Sequence, residues 1–162
     1  MFSEAKILIV DDESAARYGM RKALKSISTH IFEAQDGLAA LDLIKETNPD
    51  VVLCDINMPK KNGLELLRSL DVSSNNKPQV IVITAFGSEK IAVEAMKAGA
   101  YDYLSKPYDI DELRLTVHKA LERAFLLREN EQLRQQIAEK QASDIIGDSQ
   151  VMQQVHRLVE KV

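Results

Sequence analysis

Carboxylates, a hydroxyl and an ammonium group follow four short apolar runs of this sequence. The acidic pair Asp11 and Asp12 follows the run ILIV, and Asp55 ends the run VVLCD. Thr84 ends the run QVIVIT, and Lys106 comes shortly after the run YDYL. Each residue alone has an ordinary explanation, such as a helix cap for the acidic pair or a solvated loop for Asp55. Their shared position at the ends of four apolar runs favours a common site.

The chemistry available to this set is phosphoryl transfer. Clustered carboxylates repel one another, so one of them would bind a proton unless a cation compensates the charge. Magnesium takes oxygen ligands, typically from one or two carboxylates, water and phosphate oxygens. A carboxylate beside magnesium can attack phosphorus and form an aspartyl phosphate. We therefore predict Mg²⁺ as the cofactor and Asp55, Thr84 and Lys106 as the reacting and charge-neutralising groups.

The elements that must position these residues alternate between strand and helix. Short β-branched runs predict five strands, at 6–10, 30–34, 51–54, 79–84 and 101–104. Amphipathic patterns between them predict five helices, at 14–26, 37–46, 63–70, 88–98 and from 109 onward. The middle runs are continuously apolar, which is typical of a parallel sheet covered on both faces.

Strict alternation of strand and helix predicts right-handed crossovers and an α/β fold. We expect a doubly wound five-stranded parallel sheet with the flavodoxin-like order 2-1-3-4-5, because the first strand is more apolar than the second and belongs in the middle. Ligands of such sheets bind beyond the carboxyl ends of the strands, where all the residues of the common site fall. The second strand contributes no comparable residue to that edge.

Composition limits the classes of function. With 162 residues, 45% of them hydrophobic and 28% charged, the chain has room for one domain with a core plus an appendage. The net charge of -4 gives no general attraction to nucleic acid or to an anionic membrane. The single cysteine, Cys54, lies inside an apolar run and is expected to be a buried thiol. No signal peptide or membrane span is recognisable, so a cytoplasmic protein is expected.

The pattern changes after Asp109, where a long segment without glycine or proline carries charges of alternating sign. It predicts that the fifth helix continues into a linker helix, followed after Ala142 by a turn and another helix. We therefore predict a first domain at 1–121, a linker at 122–142, and the truncated start of a further domain at 143–162.

The linker carries a short coiled-coil pattern. Apolar side chains and one asparagine recur at d and a spacing, at Leu126, Asn130, Leu133 and Ile137. A single asparagine at an a position favours a two-stranded coil in fixed register. The pattern predicts a parallel homodimer joined through residues 111–140, with a solvated helical spacer as the alternative.

Receiver domains of bacterial two-component response regulators resemble this sequence in four stretches: ILIVDDE, VVLCDINMPKKNGLELL, VIVITAFG and AGAYDYLSKPYDIDEL. The resemblance covers about Lys6 to Leu121. It implies that Asp55 accepts a phosphoryl group from the phosphohistidine of a sensor histidine kinase. It also implies a magnesium site made by Asp11, Asp12, the Asp55 side chain and the backbone carbonyl of Asn57.

The same resemblance implies further roles. Lys106 pairs with the phosphoryl group, Thr84 is the switch hydroxyl, Tyr103 is the switch aromatic residue, and the bond before Pro107 is cis. The chain is then a phosphorylation-activated regulatory module that modifies only itself, and not an enzyme with an external substrate.

The end of the chain resembles a narrower group. The stretch IIGDSQVMQQVHRLVEKV is similar to the start of the AAA+ ATPase domain of nitrogen-regulatory-type enhancer-binding activators, which act on the alternative sigma factor. This implies a receiver and linker that control the ATPase of a larger transcription activator. Contacts with DNA and with sigma-factor RNA polymerase are expected only from domains absent from this chain, which contains no G-x-x-x-x-G-K-[ST] loop.

Two other classes remain open at this point. A magnesium-dependent phosphatase with an aspartate nucleophile is the first, although its D-x-D motif has the second acid as proton donor and here Asn57 occupies that position. A flavodoxin-like flavin carrier is the second, although Asp11 and Asp12 follow the first strand and would repel the phosphate of a flavin there.

Overall fold

Five strands and five helices alternate along the chain, as the computed structural model describes for residues 2–70, 76–85 and 87–160. The strands are β1 Lys6–Val10, β2 His30–Ala34, β3 Val51–Asp55, β4 Gln79–Thr84 and β5 Asp102–Ser105. The helices are α1 Ser14–Leu24, α2 Gly37–Thr47, α3 Gly63–Ser69, α4 Glu89–Lys97 and α5 Ile110–Glu160. All ten elements lie at the predicted positions, with boundaries that differ by a few residues.

The strands form one parallel sheet in the order β2-β1-β3-β4-β5. This confirms the predicted doubly wound sheet and its 2-1-3-4-5 order. The order reverses direction between β1 and β3, and in doubly wound sheets that reversal opens the crevice in which ligands bind.

Side chains that alternate along the three middle strands enter two separate apolar cores. One core contains Ile7, Ile9, Leu53, Ile81 and Ile83 together with buried residues of α1 and α5. The other contains Leu8, Val10, Val52, Cys54 and Val82 together with buried residues of α2, α3 and α4. Because both faces of the sheet are covered, the interiors of these strands are continuously apolar, as the sequence predicted.

The first turns of α5 pack against the sheet of their own chain. The apolar stripe of this region is fully buried there, at Leu113, Val117, Ala120 and Leu121. The homodimer joined through residues 111–140 stays a prediction, in which these four side chains cannot take part because the sheet already covers them.

Beyond the domain, α5 continues to Glu160 without interruption. The predicted turn after Ala142 is therefore wrong. The charged segment has strong helix formers in most positions, which favours continuation of the helix. Residues 161 and 162 of the predicted third segment lie outside the described part of the chain.

Two compact units divide the chain, at Met1–Phe125 and Leu126–Val162. The predicted boundaries at 121 and 142 stay predictions. None of the helices in the described ranges combines the length and the apolar character that crossing a membrane requires.

Candidate functional site

The register of the sheet brings the predicted residues to one edge. Val10 of β1 lies beside Cys54 of β3, Asp55 lies beside Ile83 of β4, and Thr84 lies beside Ser105 of β5. The residues that end these strands or follow them directly therefore lie together at the carboxyl edge of the sheet. They are the set identified from the sequence: Asp11, Asp12, Asp55, Thr84 and Lys106.

Three carboxylates form the centre of this site. Oxygen atoms of Asp11, Asp12 and Asp55 all lie within 4.8 Å of one another. Asp11 and Asp55 are buried, whereas Asp12 is exposed. Three convergent carboxylate oxygens, one of them open to water, are the donors that a hard divalent cation such as Mg²⁺ prefers. The donor set fits the magnesium ion that the sequence predicted.

Lys106 reaches across the edge to two of these carboxylates. Its Nζ lies 3.3 Å from Asp55 Oδ2 and 3.5 Å from Asp11 Oδ2. Burial lowers the pKa of Lys106, but the charges of Asp55 and Asp11 outweigh this effect, and its pKa is raised above the ordinary value. The side chain is therefore a fixed positive charge beside Asp55 at neutral pH.

The carboxyl group of Asp55 is under opposing influences. Burial raises its pKa, Lys106 lowers it, and the negative charge of Asp11 raises it again, so that the net shift is upward. The backbone N–H of Asn57 donates a hydrogen bond of 3.3 Å to Asp55 Oδ1 and favours the charged form. Asp55 is thus held as a poorly solvated carboxylate, which neighbouring cations stabilise.

We predict that Asp55→Asn stabilises the metal-free protein at neutral pH. Because the pKa of Asp55 is raised on folding, its ionised form destabilises the fold, and this penalty disappears as the pH falls towards the ordinary pKa of 3.8. Urea unfolding in EDTA should give a higher midpoint for the variant at neutral pH and a smaller difference near about pH 4.

The matched control for this stability prediction is Asp42→Asn, which changes an exposed aspartate of α2. It should leave the urea midpoint close to that of the wild type. A lower midpoint for Asp55→Asn at neutral pH would show that attraction by Lys106 outweighs the cost of burying Asp55.

The loop from Ile56 to Asn62 is fixed close to Asp55 by two features. At Gly63, where α3 begins, a Cβ atom would lie 2.7 Å from the carbonyl oxygen of Asp55, so only glycine permits this approach. In the same loop, Lys60 Nζ lies 3.3 Å from Asp36 Oδ2 at the start of α2. These contacts fix the backbone on both sides of Asn57, whose N–H donates to Asp55 Oδ1.

Thr84 ends β4, and Tyr103 lies on the neighbouring strand β5. The Thr84 hydroxyl is buried and donates a long hydrogen bond, 3.5 Å, to the carbonyl oxygen of Leu104. Tyr103 is 44% exposed and lines a groove of about 550 Å³ together with residues of α4, including Val93 and Met96. The Lys106–Pro107 peptide bond is cis, as the resemblance implied.

Sequence analysis overlooked two charged residues behind the acidic pair. Arg17 Nη1 donates a hydrogen bond of 2.7 Å to the carbonyl oxygen of Asp11, and Arg17 Nε lies 3.4 Å from Glu33 Oε2. Glu33 belongs to β2, the strand from which no contribution was expected. A glutamate between the apolar residues Phe32 and Ala34 of this strand was the signal that could have led to it.

Comparison with known proteins gives the family. The response regulator receiver domain model matches residues 7–118. Regulatory protein AtoC of Escherichia coli K12 is 37% identical over 160 residues, which cover 97% of this chain and 34% of AtoC. The transcriptional regulator NtrC of Klebsiella pneumoniae is 36% identical over 154 residues, which cover 95% of this chain and 32% of NtrC. The chain thus spans about a third of the length of these relatives.

Solved structures agree with the sequence comparison. A response regulator receiver domain protein from Clostridium thermocellum superimposes with a TM-score of 0.69 and 32% identity, covering 76% of this chain and 98% of that one. NtrX from Brucella abortus, solved in complex with ADP, gives a TM-score of 0.73 and 33% identity, covering 80% of this chain and 30% of NtrX. The chain belongs to the response regulator receiver domain family.

Proposed function

We propose that Asp55 accepts a phosphoryl group from the phosphohistidine of a sensor histidine kinase and that the phosphorylated chain regulates a larger transcription activator. Membership of the receiver family supports the regulatory role. The observation that carries the choice of acceptor is that Asp55 lies in the carboxylate cluster and within 3.3 Å of the Lys106 ammonium. Intact-mass spectrometry after treatment with acetyl phosphate and Mg²⁺ tests the proposal.

In the proposed reaction, a carboxylate oxygen of Asp55 forms a bond to phosphorus while the bond between phosphorus and the imidazole nitrogen breaks. The electron pair of the broken bond stays on that imidazole nitrogen, and a proton already on the other ring nitrogen leaves the kinase histidine neutral. Lys106 neutralises charge on the phosphoryl oxygens, and Asp11, Asp12, Asp55 and the Asn57 carbonyl hold the metal. A bound magnesium ion supplies further charge neutralisation at those oxygens.

The phosphatase alternative has less support. Rapid turnover of a phosphomonoester needs a general acid that protonates the leaving group. Residue 57, where the second acid of a D-x-D motif would stand, is an asparagine. We therefore propose a phosphoacceptor module, with Asp55 as the group that is modified.

Thr84 and Tyr103 are proposed to transmit the change. A phosphoryl group on Asp55 attracts the Thr84 hydroxyl through a charge-assisted hydrogen bond, which replaces the long bond to Leu104. Movement of the Thr84 side chain leaves space into which the half-exposed Tyr103 ring turns. The groove between β5 and α4 changes shape as a result, which is a shift between two packings that the phosphoryl group favours unequally.

We predict that beryllofluoride, a mimic of the phosphoryl group, shifts the NMR signals of Thr84 and Tyr103. The expected change includes a new ring environment for Tyr103, because the ring leaves the solvent-exposed position. Thr84→Val is the matched control, since it keeps the shape of the side chain without its hydroxyl. Unchanged Tyr103 signals in the wild type, or equal shifts in Thr84→Val, would contradict this pathway.

The likeness to AtoC and NtrC over nearly the whole chain supports a parent protein of the nitrogen-regulatory type. We propose that the linker helix joins two copies and thereby controls an AAA+ ATPase that follows it. Phosphorylation would act on this dimer through the face beside Tyr103. Binding of DNA and of RNA polymerase with the alternative sigma factor would belong to other domains of the parent, in the cytoplasm.

The dimer proposal rests on uncovered apolar side chains of the second unit. Leu126, Leu133 and Ile137 are 65%, 51% and 57% exposed. They recur on one face of α5 with Asn130 between them, which is the spacing of a two-stranded seam. Since the stripe before residue 122 is buried in its own domain, the proposed seam is confined to residues 126–140.

A further inference from the structure

The first residue of the acidic pair, Asp11, is hydrogen-bonded at both its backbone N–H and its carbonyl oxygen. The backbone N–H of Asp11 donates a hydrogen bond of 3.2 Å to the carbonyl oxygen of Ala34 in β2. The carbonyl oxygen of Asp11 accepts the 2.7 Å hydrogen bond from Arg17 Nη1. That oxygen belongs to the Asp11–Asp12 peptide, whose rotation would swing the Asp12 side chain.

The hydrogen bond to the Asp11 carbonyl oxygen matters most for the orientation of Asp12, because the Asp12 carboxylate is exposed while that of Asp11 is enclosed. Asp11 is buried, with Oδ1 accepting a hydrogen bond of 2.9 Å from the backbone N–H of Glu13 and Oδ2 close to Lys106. The direction of the exposed Asp12 carboxylate depends instead on the backbone from which it projects. A fixed peptide group is therefore the means by which Asp12 stays within 4.8 Å of the other two carboxylates.

Arg17 is itself held in place. Its side chain is only 16% exposed, and its Nε is directed at Glu33 Oε2 at 3.4 Å. The other oxygen of Glu33 accepts a hydrogen bond of 3.1 Å from Arg21 Nη1, and Arg21 also donates to the carbonyl oxygen of Ile31. The planar guanidinium of Arg17 donates from two nitrogens at fixed angles, so it can contact Glu33 with one nitrogen and the carbonyl oxygen of Asp11 with another.

We propose that Arg17, anchored by Glu33, is a positioning residue for the magnesium site and for phosphoryl transfer to Asp55. It acts through the Asp11–Asp12 peptide and touches neither the metal nor the phosphoryl group. The inference rests on the proposed function, because it concerns the residue that orients the ligands of the magnesium site which that function requires. Glu33 also offsets the positive charge of Arg17, which would otherwise oppose a cation at the site.

Charge and positioning predict opposite results when Arg17 is replaced. If Arg17 were only a nearby positive charge, Arg17→Gln would make the acidic site more negative and tighten Mg²⁺ binding. If Arg17 positions Asp12, the same variant weakens Mg²⁺ binding by about tenfold, which is typical of residues that orient metal ligands. The sign of the change separates the two explanations.

The test is a titration of MgCl₂ followed by the backbone amide NMR signals of Asp12 and Asp55 in the metal-free protein. We expect about tenfold weaker binding for Arg17→Gln and a smaller loss for Arg17→Lys, which keeps the charge and one hydrogen bond. Phosphorylation by acetyl phosphate should be slower at limiting Mg²⁺ and recover at saturating Mg²⁺. A general loss of structure would not be reversed by excess metal.

Arg21→Gln is the matched control, since it removes the same charge from the same helix and the same partner, Glu33, but leaves the bond to Asp11. It should bind Mg²⁺ within about twofold of the wild type, far from the loss expected when a ligand's orientation is disturbed. If Arg17→Gln does not fold, the MgCl₂ titration of Arg17→Lys tests the positioning role instead.

Three results would overturn the inference in distinguishable ways. Binding by the Arg17 variants as tight as that of the wild type, or tighter, removes the positioning role and leaves the proposed function intact. Equal weakening in the Arg17 and Arg21 variants assigns the effect to a general disturbance of the contacts around Glu33 and not to the hydrogen bond between Arg17 and the Asp11 carbonyl oxygen. A wild-type protein that binds no Mg²⁺ overturns the metal site and the proposed function, and this inference with them.

Discussion

Treatment of the wild-type chain with acetyl phosphate and Mg²⁺ is expected to add one phosphoryl group, and Asp55→Asn is expected to add none. The reason is chemical, because an amide is a far weaker nucleophile toward phosphorus than a carboxylate. The buried Asp55 carboxylate lies 3.3 Å from Lys106 and beside two further acids that can share a cation. Intact-mass spectrometry measures the product directly.

The lability of the product adds a second readout. An acyl phosphate should resist brief acid and be lost in mild base, whereas phosphoserine and phosphothreonine survive both treatments. EDTA should prevent its formation, and Asp12→Ala should slow it by weakening the metal site while leaving the nucleophile in place.

Asp42→Asn is the control, because it removes an exposed carboxylate that lies on α2, outside the cluster. It should be phosphorylated at the rate of the wild type. Phosphorylation of Asp55→Asn at an undiminished rate would show that another residue is the acceptor, and peptide mapping would then identify it.

Much of the fold could be predicted because the sheet is covered on both faces. This requirement makes β1, β3 and β4 continuously apolar, so their positions and their place in the middle of the sheet are visible in the sequence. The chemical residues then follow from topology, since parallel strands present their carboxyl ends at one edge. Asp55 and Lys106 are 51 residues apart in sequence, and only the sheet brings them within 3.3 Å.

The contacts that hold the site in place could not be predicted in the same way. Arg17 is one of many exposed-looking cations on an amphipathic helix, and its role depends on a carbonyl oxygen that no sequence pattern reveals. The role of Glu33 can be recognised only once β2 is known to pair with β1. Such residues act through the backbone of another segment, so periodicity and motif spacing do not reveal them.

The course of α5 differs from the prediction for another reason: too much weight was given to local sequence signals. A turn was predicted after Ala142, yet the helix continues through this segment and past Gly147. Glycine costs a helix about 1 kcal/mol relative to alanine, which weakens it without ending it. The apolar stripe at the start of α5 packs on the sheet of the same chain, which buries Leu113 and Val117, so these side chains are not available to a second copy.

Once that part of the stripe is removed, the seam that can join two copies lies at Leu126, Asn130, Leu133 and Ile137. It spans about two heptads, which is marginal for an isolated coiled coil, so the dimer should be in measurable equilibrium with monomer. We predict a wild-type dimer at tens of micromolar by light scattering, with a concentration-dependent fraction of monomer.

Leu133→Lys should convert this dimer to a monomer. The variant removes the burial of a leucine from each copy, at about 1.5 kcal/mol each, and so weakens association about a hundredfold before any repulsion between the two ammonium groups is counted. Gln135→Lys adds the same charge two residues away on an exposed position of the outer face and should leave the dimer intact. A wild type that is monomeric at these concentrations, or a Leu133→Lys dimer as tight as the wild type, would reduce the linker to a helical spacer. In either case the groove beside Tyr103 would remain as the surface through which phosphorylation is read.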